Sequence, residues 1–574
     1  MTGDHTVDEL TAALPPAQRA AVEALVALLR EHGFVTDVRK DVPHTLTSAE
    51  RETYAPEIAF IACALDSAEY RFQRHREARV LVLGRQVPDP VLAAVVDAGV
   101  RSGWVRIRVA SGGTGADVWL RAAEAARRDE RQQVVAIDDV DFAAVDIVLQ
   151  ISGSLDELIT VARECAEAGV ACVQLLLGRD EAWISAAGRV GESAAESLWH
   201  RLRATHRDGV PSPDSPWLCG PVPALLAAHA VLSCFRHRTG LDEGASGEPD
   251  PLPASRLDLR TLDTSTHAVL PHPRAVRLKA VVTGGLEPLN RNGLLEQLPR
   301  LVDECTGVIT ALEAAGLPQF PLAVQRATVS DPCGVLPARS SLPEEFGWGL
   351  DEETARVRAL LAALGTYGWL AARPGAAQGL DLVTGESRTL SERSVPAPGG
   401  VAWRVPVGVA AGFSRPEALA WALRQHCEAV LTAHRAAGAL GRVLDPRTAP
   451  LDAEGEFLLH QLELARQKVE IWDLTALLGA PAYAARAGDG GEVVACASTA
   501  QGALCDGLER VLLAWQGQPT WRGTPVTGET QAAVDVLTEA LHKAGHHPVA
   551  EVLDGDGAVA ALVPHMVRVV LCER

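Results

Sequence analysis

The chain has 574 residues, of which 47% are hydrophobic and 22% are charged, and its formal net charge at pH 7 is −20. This length predicts two or three compact cores rather than one, and the composition excludes a disordered, low-complexity chain. The excess of acidic residues makes nucleic acid and anionic membranes poor partners.

Positive charge is carried almost entirely by arginine, since lysine occurs only at Lys40, Lys279, Lys468 and Lys543. None of these lysines follows a glycine, which excludes the GxxxxGK phosphate loop. The cysteines form no CxxC pair, and the opening residues, MTGDHTVDEL, are acidic. These features exclude a four-cysteine zinc ribbon and a secretory signal, and they predict a cytoplasmic protein with free thiols.

The first 75 residues are predicted to be mainly helical. Apolar residues recur at helical spacing in PPAQRAAVEALVALLREHGFV, and a short strand, FVTDV, is expected at the end of this helix. The simplest interpretation is a small helical segment in front of a larger domain.

A β-α-β unit begins at Arg79 with the strand ARVLVLGRQ, the helix PDPVLAAVVDAGV and the strand WVRIRVA. The strands QVVAI and DIVLQIS, a helix over residues 157–169 and the strand VACVQLLL follow. This alternation predicts a parallel sheet with helices on its faces. Gly84 is followed by RQV instead of further glycines, so the fingerprint of a dinucleotide site is missing.

The next long helix is predicted in PVPALLAAHAVLSCFRHRTG, and the acidic stretch after it, up to Ser255, is expected to be an exposed excursion. His267 and His272 are interpreted as packing residues rather than metal ligands.

Strands are predicted at KVEIWDLT and at HMVRVVLCER near the end of the chain. Beyond residue 276, helices are predicted from Asp351 to Tyr367, from Arg415 to His434 and from Gln501 to Trp515.

Two regions resemble known families. Residues 79–275, with ARVLVLG, DIVLQIS, AESLWHRL and RTLDTSTHAVLPHP, resemble the degenerate ThiF-like adenylation fold of peptide-modifying bacteriocin systems. Residues 296–574 resemble the YcaO family, in particular the azoline-forming cyclodehydratases, through LVDECTGVITAL, VGVAAGFSRPEALAWAL, KVEIWDLTALLGAPAY and GALCDGLERVLLAWQ. The ThiF-like region precedes the YcaO-like region, which is the order found in enzymes that combine both in one chain.

The resemblance implies an α/β protein of three parts. A helical segment with a residual winged-helix-like character would span residues 1–75, a degenerate Rossmann-type ThiF-like domain would span 76–275, and a mixed α/β YcaO-like domain would span 276–574. Residues 1–75 lack the pattern of a three-stranded winged-helix module that captures leader peptides. A separate ThiF-like partner is therefore expected to bind the leader.

The implied activity is ATP-dependent cyclodehydration of Cys, and of Ser or Thr, in a ribosomal precursor peptide during thiopeptide-type biosynthesis. Phosphorylation of the amide oxygen would allow it to leave and yield a thiazoline or oxazoline. The implied cofactors are ATP and Mg²⁺, with carboxylates holding the metal. The implied partners are the precursor peptide, the leader-binding protein, an azoline dehydrogenase and a second copy of the chain in a homodimer.

The resemblance also suggests site residues, with departures from the family pattern. In the helix predicted over 351–367, the expected glutamate pair and arginine fall on Ala362, Gly365 and Thr366. In the next helix, two expected glutamates fall on Gln425 and Glu428, which share a helix face. Both are candidate nucleotide ligands, and Glu428 is the candidate metal ligand.

The third helix contributes the remaining candidates for the nucleotide site, which are Glu509, Arg510 and Gln516. No catalytic residue is assigned. Because carboxylates are missing at several positions, a non-catalytic YcaO-like scaffold is the alternative. An adenylating enzyme that uses the first half is a third hypothesis, disfavoured by the missing glycines after Gly84.

Overall fold

The structure is a computed structural model of the whole chain. It describes residues 5–31, 35, 41–112, 116–187, 194–205, 215–242, 252–275, 289–314, 316–337, 340–372, 375, 377–390, 406–518, 523–525, 527–563 and 565–573. Most of the predicted strand FVTDV and of the acidic excursion lies outside these residues.

The chain divides into two compact units. The first comprises Met1–Ala195, Pro211–Asp250 and Ala254–Ser265, and the second comprises Glu196–Val210, Pro251–Pro253 and Thr266–Arg574. The division into three parts at residues 75 and 275 stays a prediction.

The described residues before position 270 form ten helices and eight strands. The helices are α1 (Val7–Thr11), α2 (Pro16–Glu31), α3 (Ser48–Thr53), α4 (Ala55–Ala62), α5 (Ala68–Arg76), α6 (Asp89–Arg101), α7 (Ala116–Ala126), α8 (Leu155–Ala168), α9 (Ala194–Thr205) and α10 (Val222–Thr239). The strands are β1 (Arg79–Leu83), β2 (Arg106–Ala110), β3 (Gln133–Ala136), β4 (Ile147–Ser152), β5 (Ala171–Leu177), β6 (Glu181–Ile184), β7 (Leu252–Asp258) and β8 (Thr264–Val269).

The eight strands form one sheet in the order β3-β2-β1-β4-β5-β6-β7-β8. The pairs from β3 to β5 are parallel, and β6 pairs antiparallel with β5 and β7. The order 3-2-1-4-5 is that of a Rossmann-type sheet, the fold type that the resemblance implies for this region. Every residue of β4 and β5 is buried, because helices cover both faces of a parallel sheet and its strands are therefore uniformly apolar.

The predicted boundary of the exposed acidic stretch at Ser255 is wrong. The sequence predicts exposed residues as far as Ser255, whereas strand β7 already begins at Leu252, and Ser255 pairs with Ile184 of β6. Ala254 is buried there. The prolines at the start of the strand suggested a loop, but proline is tolerated at the first residues of a strand.

The described residues from position 289 onward form nine helices and twelve strands. The helices are α11 (Arg291–Glu296), α12 (Leu298–Leu301), α13 (Glu352–Ala371), α14 (Arg415–Ala436), α15 (Ala453–Leu464), α16 (Thr475–Leu478), α17 (Ala500–Trp515), α18 (Gln531–Lys543) and α19 (Gly557–Leu562). The strands are β9 (Ile309–Glu313), β10 (Ala323–Val329), β11 (Glu344–Gly349), β12 (Ala377–Asp381), β13 (Ser387–Leu390), β14 (Val409–Ala411), β15 (Arg442–Leu444), β16 (Val469–Asp473), β17 (Ala482–Ala487), β18 (Val493–Cys496), β19 (His546–Val552) and β20 (Met566–Glu573).

These strands form three antiparallel sheets, β11-β10-β9, β13-β12-β19-β20-β14 and β15-β16-β17-β18. The three long helices predicted for this half are present as α13, α14 and α17. Helix α13 packs on β10, β11 and β14, helix α14 on β18 and β20, and helix α17 on β17 and β18. Asp351 and Ser414 cap α13 and α14 with their side chains.

Within the described part of the chain, none of the helices has the length and apolar character that a membrane crossing requires.

Candidate functional site

Helices α14 and α17 bring four charged side chains together in the second unit. Arg424 and Glu428 lie one turn apart on α14, and Asp506 and Arg510 lie one turn apart on α17, so each pair shares a helix face. Both arginines also donate to carbonyls of strand β18 or its end: Arg424 Nε to the Cys496 carbonyl at 2.7 Å, and Arg510 Nη1 to that of Val494 at 3.0 Å. We call these four residues the buried ion-pair cluster.

The cluster is neutral within itself. Arg510 Nη1 donates to Glu428 Oε2 at 3.2 Å and to Asp506 Oδ2 at 3.3 Å. Arg424 Nη2 lies 3.6 Å from the same Asp506 oxygen. Burial raises the pKa of the Glu428 carboxyl above its usual range, and Arg510 opposes this shift. Two guanidinium groups thus balance two carboxylates, which leaves no net negative charge to attract a cation.

Glu509 is adjacent to Arg510 in sequence but has different partners. Its Oε1 accepts a hydrogen bond from Arg358 Nη1 at 3.0 Å, and its Oε2 accepts one from Trp348 Nε1 at 3.0 Å. Burial raises the pKa of the Glu509 carboxyl, and Arg358 opposes this. Glu509 and Arg510 therefore have separate sets of partners, because successive residues of a helix point in directions about 100° apart.

The two predicted glutamines hold backbone segments in place. Gln425 Oε1 accepts from the Gly408 amide at 3.0 Å, and its Nε2 donates to the Val409 carbonyl at 2.9 Å. Gln516 Oε1 accepts from the Leu322 amide at 3.2 Å, and its Nε2 donates to the Leu322 carbonyl at 2.9 Å. Both side-chain amides thus satisfy backbone groups of neighbouring strands or loops.

Helix α13 packs closely on β14 at the positions where the family pattern has its glutamate pair. A Cβ atom added to Gly365 would lie 3.0 Å from the carbonyl carbon of Ala410 in β14. Ala362 is buried, and Thr366 donates from its hydroxyl to Glu345 at 2.6 Å. A side chain at position 365 would therefore require the β14 backbone to move by a few tenths of an ångström.

The carboxylates that the structure brings together here do not fit a magnesium site. Mg²⁺ requires carboxylate oxygens that are available for near-octahedral coordination. Glu428 and Asp506 are bound to Arg510, and Glu509 is bound to Arg358 and Trp348. Among the predicted residues, Glu428 and Arg510 form a direct ion pair.

Sequence reasoning missed Arg424, Asp506 and Arg358. Arg424 and Asp506 could have been found from the sequence, since each lies four residues before an oppositely charged residue on the same helix. Arg424 precedes Glu428, and Asp506 precedes Arg510. Arg358 gives a weaker signal as a charged residue within the apolar stretch VRALLAALG. Its partner Glu509 is 151 residues away in sequence, so only the tertiary structure reveals the pair.

A cavity of about 630 Å³ opens beside the buried ion-pair cluster. Arg510 reaches its wall, together with Thr432, Arg435, Glu492 and Val494. Two hydrogen bonds join the Arg435 guanidinium to the Glu492 carboxylate, from Nε to Oε1 and from Nη2 to Oε2. Among the described residues, the buried Nε of Arg510 has no hydrogen-bond partner.

The first unit has a larger cavity, of about 960 Å³, at the carboxyl ends of β1 and β4. These are the central strands at which the strand order reverses, where Rossmann-type proteins bind nucleotides. Arg85 faces a strongly acidic wall here, which would repel phosphate groups. The acidic side chains lining it are Asp138, Asp139, Asp156, Glu157, Glu164 and Glu167.

Comparison with solved structures shows which proteins share this fold. A heterocyclase in complex with substrate and cofactor superposes with a TM-score of 0.61 at 13% sequence identity, over 99% of this chain and 89% of that one. The heterocyclase TruD gives a TM-score of 0.59 at 12% identity, over 99% of this chain and 88% of that one. No protein-family model and no curated protein matches the sequence. The chain thus has the heterocyclase fold, and the fold class that the resemblance implied is confirmed.

Proposed function

We propose that this protein belongs to the YcaO family and acts in ATP-dependent cyclodehydration of a ribosomal precursor peptide. The observation that carries the proposal is the fold match, since two heterocyclase structures each superpose on 99% of this chain. Thiopeptide-type biosynthesis is the setting that we propose, with Cys as the residue cyclised and Ser or Thr as further substrates. The cytoplasm is the proposed location.

The proposed chemistry forms a five-membered ring at each modified residue. The Cys thiol loses its proton as the sulfur bonds to the preceding carbonyl carbon, and the γ-phosphoryl group of ATP is transferred to the former carbonyl oxygen, which leaves ADP. The C–O bond then breaks as phosphate leaves, and loss of the N–H proton gives the C=N bond of a thiazoline. Transfer of the phosphoryl group is needed because the oxygen is otherwise a very poor leaving group, and the protein contributes positioning and charge stabilisation.

Within this reaction, the buried ion-pair cluster favours a non-catalytic role for the chain. A catalytic subunit needs carboxylates for magnesium, whereas Glu428, Asp506 and Glu509 are neutralised by arginines and position 365 is a glycine. The chain would then be a YcaO-like scaffold that positions the peptide, while a separate YcaO-fold subunit consumes ATP.

Catalysis by this chain is the second candidate, and the cavity beside Arg510 supports it. Arg510, which lines that cavity, is the group that could contact a phosphate there. In this role Gln425, Glu428, Glu509, Arg510 and Gln516 remain the proposed nucleotide ligands. Glu428 would have to exchange Arg510 for a metal ion.

The partners follow from the same proposal. The chain would bind the precursor peptide, and a separate ThiF-like protein would bind the leader. An azoline dehydrogenase that oxidises the ring and a homodimeric state are further proposals.

Nucleotide binding separates the two roles without knowledge of the peptide. We expect the purified full chain to show no Mg-ATP binding in titration calorimetry. We further expect the precursor peptide to lose the mass of one water per ring only when a catalytic YcaO subunit is added. Binding of Mg-ATP by the chain alone, weakened at least tenfold by Glu428→Gln, would establish the catalytic role instead.

Glu456→Gln is the matched control for that titration, since it makes the same change at an exposed helical position. It should leave nucleotide binding and peptide conversion as they are in the wild type. The test mixture contains a proven peptide substrate, the leader-binding partner, the catalytic subunit and Mg-ATP. If the peptide loses no mass in this mixture, whether or not this chain is added, the proposed function is wrong.

A further inference from the structure

Three side chains with metal-binding atoms meet in the second unit, away from the buried ion-pair cluster. His267, Asp303 and Cys305 each offer one donor atom, and these atoms lie within 4.8 Å of one another. His267 Nδ1 is 2.8 Å from Asp303 Oδ2. His267 and Cys305 are buried, and Asp303 is partly exposed.

A tight turn fixes two of these residues. The Asp303 amide donates to the Ile309 carbonyl at 3.0 Å, and the Gly307 amide donates to the Asp303 carbonyl at 3.0 Å. An added Cβ atom at Gly307 would lie 2.4 Å from the Asp303 nitrogen, so the turn requires glycine. Asp303 Oδ1 accepts from the amides of Cys305 and Thr306 at 2.9 and 2.8 Å, which leaves Oδ2 directed at His267.

The turn is also bonded to the strand that carries His267. The Thr306 hydroxyl donates to the Ala268 carbonyl of β8 at 3.0 Å. The Thr205 hydroxyl of α9 donates to the Cys305 carbonyl at 2.6 Å. The three donor side chains are therefore held close together by backbone contacts that do not depend on any ligand.

We propose that His267, Asp303 and Cys305 form a zinc site with three protein ligands. One imidazole nitrogen, one carboxylate oxygen and one thiolate sulfur are the donor types that Zn²⁺ takes in tetrahedral sites. Binding deprotonates Cys305, replaces the His267–Asp303 hydrogen bond by two metal bonds and balances two negative charges with the ion. The fourth position is open to water or to Glu304, whose Oε1 lies 3.9 Å from Cys305 Sγ.

The sequence predicts a packing role for both His267 and His272, but the two side chains have different surroundings in the structure. His272 packs, with its ring stacked on His200 at a centroid distance of 4.8 Å and its Nε2 3.1 Å from the Pro332 carbonyl. His267 meets Asp303 and Cys305 across 36 and 38 residues, a spacing that matches no short zinc motif. The site is independent of whether the chain is a scaffold or a catalyst.

Metal analysis of the full chain tests the proposal. We expect purified wild-type protein, stripped with a chelator and then exposed to zinc chloride, to retain one zinc ion per chain after gel filtration. Cobalt should bind at the same site and give a thiolate-to-cobalt charge-transfer absorption. Cys305→Ser should abolish that absorption, and Cys305→Ser and His267→Ala should each lower zinc affinity at least roughly 100-fold.

Cys333→Ser is the matched control, because Cys333 is a partly buried cysteine of the same unit that faces the Ala371 carbonyl. The Cys333→Ser variant should retain one zinc ion per chain, and its cobalt form should keep the charge-transfer absorption. Stripped wild-type protein that takes up no zinc would overturn the proposal, whatever the stability of the variants. Full zinc retention by folded Cys305→Ser would overturn it as well.

Discussion

Arg76 is completely buried in the first unit and bonds to two carboxylates, Glu50 at 3.0 Å and Asp129 at 2.8 Å. Glu50 also accepts from Arg131 Nη1 at 2.6 Å and from the Thr47 amide at 2.9 Å. Burial alone would raise the pKa of Glu50, but the hydrogen bonds from Thr47, Arg76 and Arg131 together lower it to about 2. The ionised form of Glu50 therefore stabilises the fold.

We predict that Glu50→Gln destabilises the first unit by about 3 kcal/mol at neutral pH, because it leaves Arg76 with one buried partner fewer. A carboxylate with a lowered pKa contributes stability that is present above its ordinary pKa of 4.5 and is lost as the pH falls toward about 2. The difference between wild type and variant, measured by urea unfolding, should thus shrink over this acid range. Exposed Glu52→Gln on the same helix should show no such dependence.

The Arg358–Glu509 pair should behave as a coupled unit. Removing one partner leaves an uncompensated buried charge, so we expect Arg358→Met and Glu509→Met each to cost about 3 kcal/mol. The double variant should cost clearly less than the sum of the two, because it leaves neither charge alone. A double-mutant cycle by denaturant unfolding measures this, and additive costs would show that the two side chains do not interact.

Among the secondary-structure elements, α13 and β11 approach each other most tightly at Gly347. An added Cβ atom there would lie 2.1 Å from the Ala359 nitrogen and 2.3 Å from the Ala355 carbonyl oxygen. Both contacts are with helix backbone, which cannot move aside as a flexible side chain can. The helix can therefore lie on the strand only because this residue has no side chain.

We predict that Gly347→Ala destabilises the second unit by about 3 kcal/mol, at the upper end of the cost of overpacking a core. The denaturation midpoint measures the change. Gly491→Ala is the control, since an added Cβ atom at that position meets nothing within 4 Å. If the two variants had equal midpoints, the close packing of α13 on β11 would be contradicted.

On the scale of the whole molecule, each unit contains its own apolar core. The core of the first unit includes Val82, Val109 and Leu149 from the parallel sheet. A core of the second includes Leu360, Leu364 and Tyr367 from α13. Because each unit buries apolar residues of its own, each has a separate source of stability.

We therefore predict two transitions in differential scanning calorimetry of the full chain. Glu50→Gln should lower the midpoint of one transition, and Gly347→Ala should lower that of the other. A single transition that both variants shift equally would show that the units unfold together.

The sequence determined the local elements and the parallel character of the first sheet, because apolar runs and helical periodicity express which residues are buried along a strand or a helix. The alternation of strands and helices after Arg79 predicted a parallel sheet, and the three long helices of the second half were predicted to within a few residues. The resemblance also identified Glu428 and Arg510, which are in contact at 3.2 Å.

Only the tertiary structure decided what those side chains do. Arg510 neutralises Glu428, Arg358 reaches Glu509 across 151 residues, and His267 meets Cys305 from another element. Charge compensation and metal coordination depend on distances of a few ångströms between elements. Such distances follow from how helices and strands pack, which the pattern along a single segment does not contain.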